Sequence, residues 1–261
     1  ISGKGRIYGI YNSTGEISVE GTEINIGATN ANATAQAIYN KKTATIEDVT
    51  INMNFGKLSN IQAYGIYNDS SLQGIINIKD IDITIKDGNS MGGEGSLLYG
   101  LYNTRHSTMI IENENIEIEA PYCYKSASYV SGSTAYGIYN DGNISIDEGT
   151  IEVSANGLDA YGIYNYTHGT IVTNNIDIIA EHENDDNYVT STYHAYGVNN
   201  SGTMTLNSGT ILVNDLFSPY GAYNSSELTI NGTEITVAQT GATTTYSSVS
   251  SPSGATTTDK G

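Results

Sequence analysis

The chain has no tryptophan, one cysteine, three prolines, and ten lysines and arginines against 28 acids in 261 residues. Each shortage excludes something. A lone Cys123 forms no internal disulfide and no thiolate-based metal cluster. The formal charge of −18 repels phosphate backbones and anionic lipid, so nucleic acid and membrane surfaces are not expected partners. No run of about 18 apolar residues is present, so no direct membrane insertion is expected. Ile1-Ser2-Gly3-Lys4-Gly5 lacks the regions of a signal peptide, and a chain that opens on Ile beside its first repeat reads as a processed product or a segment of something longer.

What is abundant is 29 Gly, 21 Tyr and a visible excess of Asn, Thr, Ser and Ile, which favours short strands joined by polar turns. With 38% hydrophobic residues, a continuous core forms if such segments stack. Internal comparison shows that they repeat. Tyr8-Gly9-Ile10-Tyr11-Asn12 recurs at 36–40, 64–68, 99–103, 136–140, 161–165, 196–200 and 220–224, each time ending on Asn. The steps between these Asn residues are 28, 28, 35, 37, 25, 35 and 24, so a minimal unit of about 24 residues carries insertions of variable length.

The unit at 135–158 shows the parts: Ala-Tyr-Gly-Ile-Tyr-Asn, a turn at Asp141-Gly142, Asn-Ile-Ser-Ile-Asp, a turn at Glu148-Gly149, then Thr-Ile-Glu-Val-Ser-Ala. Alternation with period two excludes helical solenoids. One three-strand coil cannot bury its own inward side chains, so coils must stack at ~4.8 Å, each strand pairing with its equivalents above and below. The expected fold is all-β: a right-handed parallel β-helix over residues 1–240, about eight three-strand coils forming a rod of roughly 40 Å. The tail, 241–261, loses the repeat and is expected to add a capping strand within 243–249, followed by a Thr/Ser-rich linker.

Reading the columns assigns faces. Ile10, Ile38, Ile66, Leu101, Ile138, Ile163, Val198 and Ala222 are all apolar and are expected in the core. Strict alternation then places the first column (Tyr8, Gln36, Tyr64, Tyr99, Tyr136, Tyr161, Tyr196, Tyr220) on the same inward side. The glycine column and the second tyrosine column would face solvent. Tyr11, Tyr39, Tyr67, Tyr102, Tyr139, Tyr164 and Tyr223 would thus form an outward ladder beside a glycine track. Asn12, Asn40, Asn68, Asn103, Asn140, Asn165, Asn200 and Asn224 sit where strand becomes turn. Asn there tolerates left-handed backbone angles and passes amide hydrogen bonds up a stack, so these eight are expected to form a structural ladder.

This pattern of Y-G-I-Y-N and N-x-G-T-I units resembles the repetitive β-helical passenger and adhesin domains of bacterial surface proteins. The likeness runs from about Tyr8 to Val237. It implies an extracellular, surface-displayed protein whose side loops contact host or neighbouring-cell glycans or proteins, and it carries over no catalytic residue or cofactor.

The insertions at 87–96, 121–134 and 181–193 all fall between the third strand of one coil and the Tyr-Gly strand of the next. They are expected to form a lateral lobe bearing Tyr122, Tyr124, Tyr129, Tyr188 and His182 as contact residues. An enzyme reading competes, because parallel β-helices also carry polysaccharide lyases and polygalacturonases. Lyase chemistry needs a basic side chain beside an acid cluster, and Arg6, Arg105 and eight lysines offer no evident one. The acidic pair Asp185-Asp186 follows Thr167-His168-Gly169, the reverse of the order that polygalacturonase resemblance implies. Glu181-His182-Glu183-Asn184-Asp185-Asp186 concentrates hard ligands but reads first as a solvated acidic loop, so neither metal nor catalytic residue is expected. The leading expectation is a non-enzymatic adhesin or stalk. Alternatives are a polysaccharide-active enzyme, a phage-type receptor-binding β-helix, or a filament subunit that self-associates end to end.

Overall fold

The computed structural model describes residues 2–3, 5–56, 58–69, 73–87, 95–120, 124–126, 129–182, 193–215, 219–239, 247–251 and 256–259. Its strands form a nine-stranded and an eleven-stranded sheet, with every neighbour in both running parallel. The chain is a parallel β-helix.

Each coil opens with a motif strand such as Ser133–Asn140, turns a corner after Asn, and runs into one long strand such as Asn143–Ala155. The long strand bends once. Its bend carries a residue with positive φ in each of the first eight coils, at Gly21, Asp48, Asp80, Asn113, Glu148, Asn175, Ser208 and Gly232, with Gly209 following Ser208 in the same region. Gly, Asn and Asp supply that left-handed geometry most cheaply, so composition follows conformation here; Glu148 and Ser208 adopt it against preference. The turn expected at Glu148-Gly149 is therefore a one-residue corner, and pairing resumes on its far side. It divides the long strand into a second and a third leg.

Beyond the eighth motif strand, Ser247–Ser250 pairs with Tyr220–Asn224 and Thr256–Asp259 pairs with Glu227–Asn231. The described part of the tail continues the winding as a partial ninth coil, where the sequence led us to expect a linker after one strand. At the other end, Ser2–Gly3 pairs with Gly27 and Ala28 in the first long strand.

The core is built from columns. Ile24, Ile51, Ile83, Ile116, Ile151, Ile178, Ile211 and Ile235 stack in register at the start of the third leg. From the facing wall come Ile38, Ile66, Leu101, Ile138, Ile163 and Val198, all fully buried. Identical side chains a coil apart interdigitate with the same rotamer demands at every level, which suits a one-dimensional core.

Two alternation errors in the sequence reading come to light here. The glycine column faces inward: a Cβ built on Gly137 lies 2.3 Å from the Ile151 Cγ2 and 2.6 Å from the Gly162 carbonyl oxygen, and Gly65, Gly100, Gly162 and Gly197 repeat the geometry. The first tyrosine column faces outward, beside the second. Both errors have one cause. Gly and the following Ile both point into the core, and the pairing register skips the glycine at each level, as a bulge would. Period two restarts there, so Tyr136 and Tyr139 emerge on the same face although three positions apart.

One core position is chemically out of place. Glu114 stacks between Ile81 and Gly149, is 1% exposed, and neither carboxyl oxygen has a hydrogen-bond partner. Gly149 makes room for it, since a Cβ there would lie 2.4 Å from the Glu114 Cδ. Burial pushes this carboxyl well above the usual range, its own backbone working weakly the other way. A raised carboxyl pKa makes the folded state hold its proton more tightly. Glu114 therefore burdens the fold least below its ordinary value of 4.5, and stability falls as pH rises from there through the raised folded value. Glu114→Ile, matching Ile81 and Ile176 in the same column, is expected to stabilise the chain at pH 7 by about 1–3 kcal/mol. Urea titrations at several pH values check this: the gap between variant and parent should widen with pH above the ordinary carboxylate range. A constant gap would show that Glu114 is not buried as an acid.

Candidate functional site

The outward face of the motif sheet carries two files of tyrosine rings. In the inner file Tyr64, Tyr99, Tyr136, Tyr161, Tyr196 and Tyr220 stack face to face with centroids 4.8 to 5.0 Å apart. In the outer file Tyr11, Tyr39, Tyr67, Tyr102, Tyr139 and Tyr164 do the same at 4.7 to 5.4 Å. The spacing is that of the coils. Within a coil the two rings meet edge to face, as in Tyr99 and Tyr102 at 5.0 Å and 85°. Each ring thus satisfies both geometries that its quadrupole favours.

The files differ in burial at two levels of the inner one. Tyr99 and Tyr161 are only 8% exposed, whereas the outer rings are half-buried and the terminal Tyr11 is 50% exposed. Burial, first among the causes, raises the hydroxyl pKa of Tyr64, Tyr99, Tyr136, Tyr139, Tyr161 and Tyr196, and it pushes Tyr67 up to about 12. These phenols are neutral throughout the physiological range. The surface they make is amphipathic and uncharged on a chain of formal charge −18. Tyr39 donates a hydrogen bond to Asp69, whose carboxylate also lies 3.9 Å from the Lys41 ammonium.

Each file has one interruption, and both are polar. Asn199 takes the outer place in the seventh coil, between Tyr164 and Tyr223. Gln36 takes the inner place in the second coil, between Tyr8 and Tyr64. A cavity of ≈ 270 Å³ lies over Gln36.

At the corner following the motif strand runs the asparagine ladder. Seven of its eight members are fully buried and Asn12 is 4% exposed. Every Asn side-chain amide donates to the Asn carbonyl oxygen of the next coil, at 2.8 to 3.0 Å, from Asn12 to Asn224. Asn224 donates instead to the Thr257 hydroxyl of the ninth coil. None of the eight has a positive φ, so the left-handed tolerance expected of them is not what selects Asn. Two-sided hydrogen bonding is.

The expected lateral lobe is only partly described. Its insertions leave the end of the third leg at Lys86, Ala120 and His182 and return at Leu97, Ser133 and Ala195, all at the same corner of the coil. Tyr122 and Tyr188 lie outside the described residues. Tyr124 and Tyr129 belong to a small antiparallel pair, Tyr124–Ser126 with Tyr129–Ser131, and their side chains lie outside the described ones too.

His182 is not a lobe residue. It is 3% exposed and its Nδ1 lies 3.3 Å from the equally buried Asp215 Oδ1. The other Asp215 oxygen accepts from the Ala195 backbone amide. Asp87 holds the equivalent place at another insertion, accepting a 2.6 Å hydrogen bond from the Ser133 hydroxyl. Buried polar groups thus pin the roots of both insertions.

Among the described residues no group of three His, Cys, Asp or Glu side chains is placed to hold a metal ion. Most of the acidic segment 181–186 lies outside them. No helix of the described residues is long and apolar enough to cross a membrane. No protein-family model, curated protein sequence or solved structure matches the chain.

Proposed function

We propose that the chain is a non-enzymatic, surface-displayed rod, an adhesin or stalk segment of a bacterial surface protein, that binds glycans or proteins of a host or neighbouring cell through its tyrosine face. The observation that carries this reading is the outer ring file. A sheet needs apolar side chains on its core side, but nothing about core formation requires half-exposed aromatic rings at the same outward position in seven of eight coils. Tyrosine presents a large rigid apolar face with a polar tip at low entropic cost, the profile of a contact residue for sugar rings and extended chains. The inner file, packed edge to face against it, is fit to hold the outer one upright.

Replacing Tyr102, Tyr139 and Tyr164 together by Ser separates binding from stiffening. Each lost ring pair removes roughly 0.5–1.5 kcal/mol, so the melting temperature should fall while the far-UV spectrum of the folded chain is retained. Binding on a glycan array, or attachment of coated beads to cells, should be lost. Undiminished attachment by the folded triple variant would sink the reading and leave the files a purely structural role.

A further inference from the structure

The inner file misses one rung, and we propose that the gap over Gln36 is a seat for a single carboxylated pyranose, such as a uronic acid residue. The inference rests on the glycan-binding reading and makes it specific.

Tyr8 and Tyr64 lie two coils apart, a separation of ~9.6 Å from the coil rise. Elsewhere in this file successive rings stack at 4.8 to 5.0 Å. Gln36 holds that rung with a slimmer side chain than tyrosine, and the cavity it leaves, ≈ 270 Å³, suits a monosaccharide better than a larger ligand. Tyr39, edge-on to Tyr8 at 5.7 Å, closes one side.

The rest of the lining is polar. Gln36 forms the floor at 7% exposure, and its side-chain amide has no hydrogen-bond partner among the described residues. That amide is not among the side-chain atoms sealed from solvent, so its donors and acceptor stand open to a ligand or to water. Gln62 and Arg6 stand at the rim, both exposed. Arg6 joins none of the ion pairs of the described residues, although the chain carries 28 acids.

A largely polar cavity bounded by tyrosine rings describes a pyranose rather than a flat apolar ring. The guanidinium at the rim adds a fork for a carboxylate, held at contact range, where the diffuse negative charge of the rod is largely screened.

Three proteins titrated calorimetrically with methyl glucuronoside and with methyl glucoside test the seat. The parent chain should bind the glucuronoside with a Kd on the order of 1 mM. Gln36→Tyr restores the missing rung with the residue used at seven other levels, so it should fold with an equal or higher melting temperature and bind neither sugar. Arg6→Gln should weaken the glucuronoside about tenfold, the loss of one charge-assisted hydrogen bond, and leave the glucoside unchanged.

Binding by Gln36→Tyr equal to that of the parent would overturn the proposal. So would a parent that binds neither sugar at about ten times the expected Kd. Equal loss of both sugars in Arg6→Gln would overturn the preference for a carboxylate. The triple outer-file variant leaves the residues named in the slot intact. Its loss or retention of surface attachment judges the broader reading independently.

Discussion

Asn140→Leu is expected to lower the unfolding free energy by about 4 kcal/mol, among the largest effects available to a side chain outside the apolar core. The Asn140 amide donates to the Asn165 side chain at 2.9 Å, the Gly142 carbonyl at 3.0 Å and the Thr170 carbonyl at 3.3 Å, so two protons serve three acceptors. Its oxygen accepts from the Asn103 amide at 2.9 Å and the Gly142 backbone amide at 3.0 Å. Leucine is nearly the right size and satisfies none of these. Asn103, Gly142 and Asn165 are buried, so each of their stranded groups carries its desolvation cost, and three or four such groups reach the stated figure.

Position along the rod should matter as much as chemistry. Asn12 has a ladder partner on one side only and is the most exposed of the eight, so Asn12→Leu should cost about half as much. In a solenoid each coil contacts only its neighbours, and a weak level in the middle uncouples the two ends. Urea unfolding of Asn140→Leu should therefore broaden or divide into two transitions, while Asn12→Leu keeps one. A single sharp transition for Asn140→Leu, shifted by less than about 1 kcal/mol, would show that the ladder is ornamental.

The β-helix was legible because repetition turns one ambiguous strand into eight aligned columns, and an apolar column in every coil leaves little doubt about its face. What failed was extrapolating period two across Gly-Ile. The sequence held the correction. Asn199 in the second tyrosine column is a sign of exposure, and Gln36 in the first column is the same sign. The glycine column never exceeds Ala37 in size, which marks a position short of room rather than one open to solvent.

His182 was misplaced for a related reason. Its segment was read as an acidic loop by composition, whereas Ile176, Ile178 and Ala180 set an inward phase that reaches His182 next. Ile211, Val213 and Asp215 run in the same phase one coil on. The two interruptions of the ring files were visible as letters. That one of them opens a cavity was not, because this depends on both tyrosine columns sharing a face.

The inward glycine column supports the second large prediction, Gly137→Val, together with its milder form Gly137→Ala. A Cβ at this position meets the Ile151 side chain at 2.3 Å and the Gly162 backbone carbonyl at 2.6 Å, and Val adds two methyl groups into the same space. Side-chain repacking relieves the first contact. The second is backbone of the next coil, fixed by the sheet it belongs to, so relief there means separating two coils. Gly137→Ala should cost about 2–3 kcal/mol by overpacking, and Gly137→Val should exceed 4 kcal/mol or prevent folding. The sign is what discriminates. On an outward face with ordinary φ, Gly→Ala would stabilise by about 0.4–1 kcal/mol through the unfolded chain. A double-mutant cycle with Ile151→Ala sharpens the test, since removing the isoleucine branch clears one of the two contacts and leaves the carbonyl in place. The pair should recover about half of the alanine penalty, as a positive coupling between residues on opposite walls. Nature has made the mild form once: Ala37 occupies the column, fully buried, in a strand that still pairs in register with the next coil at Tyr64 and Ile66. Ala37→Gly should therefore change stability by less than about 1 kcal/mol. Stabilisation by Gly137→Ala in urea titration would place the column back on the outside, and with it Tyr136 back in the core.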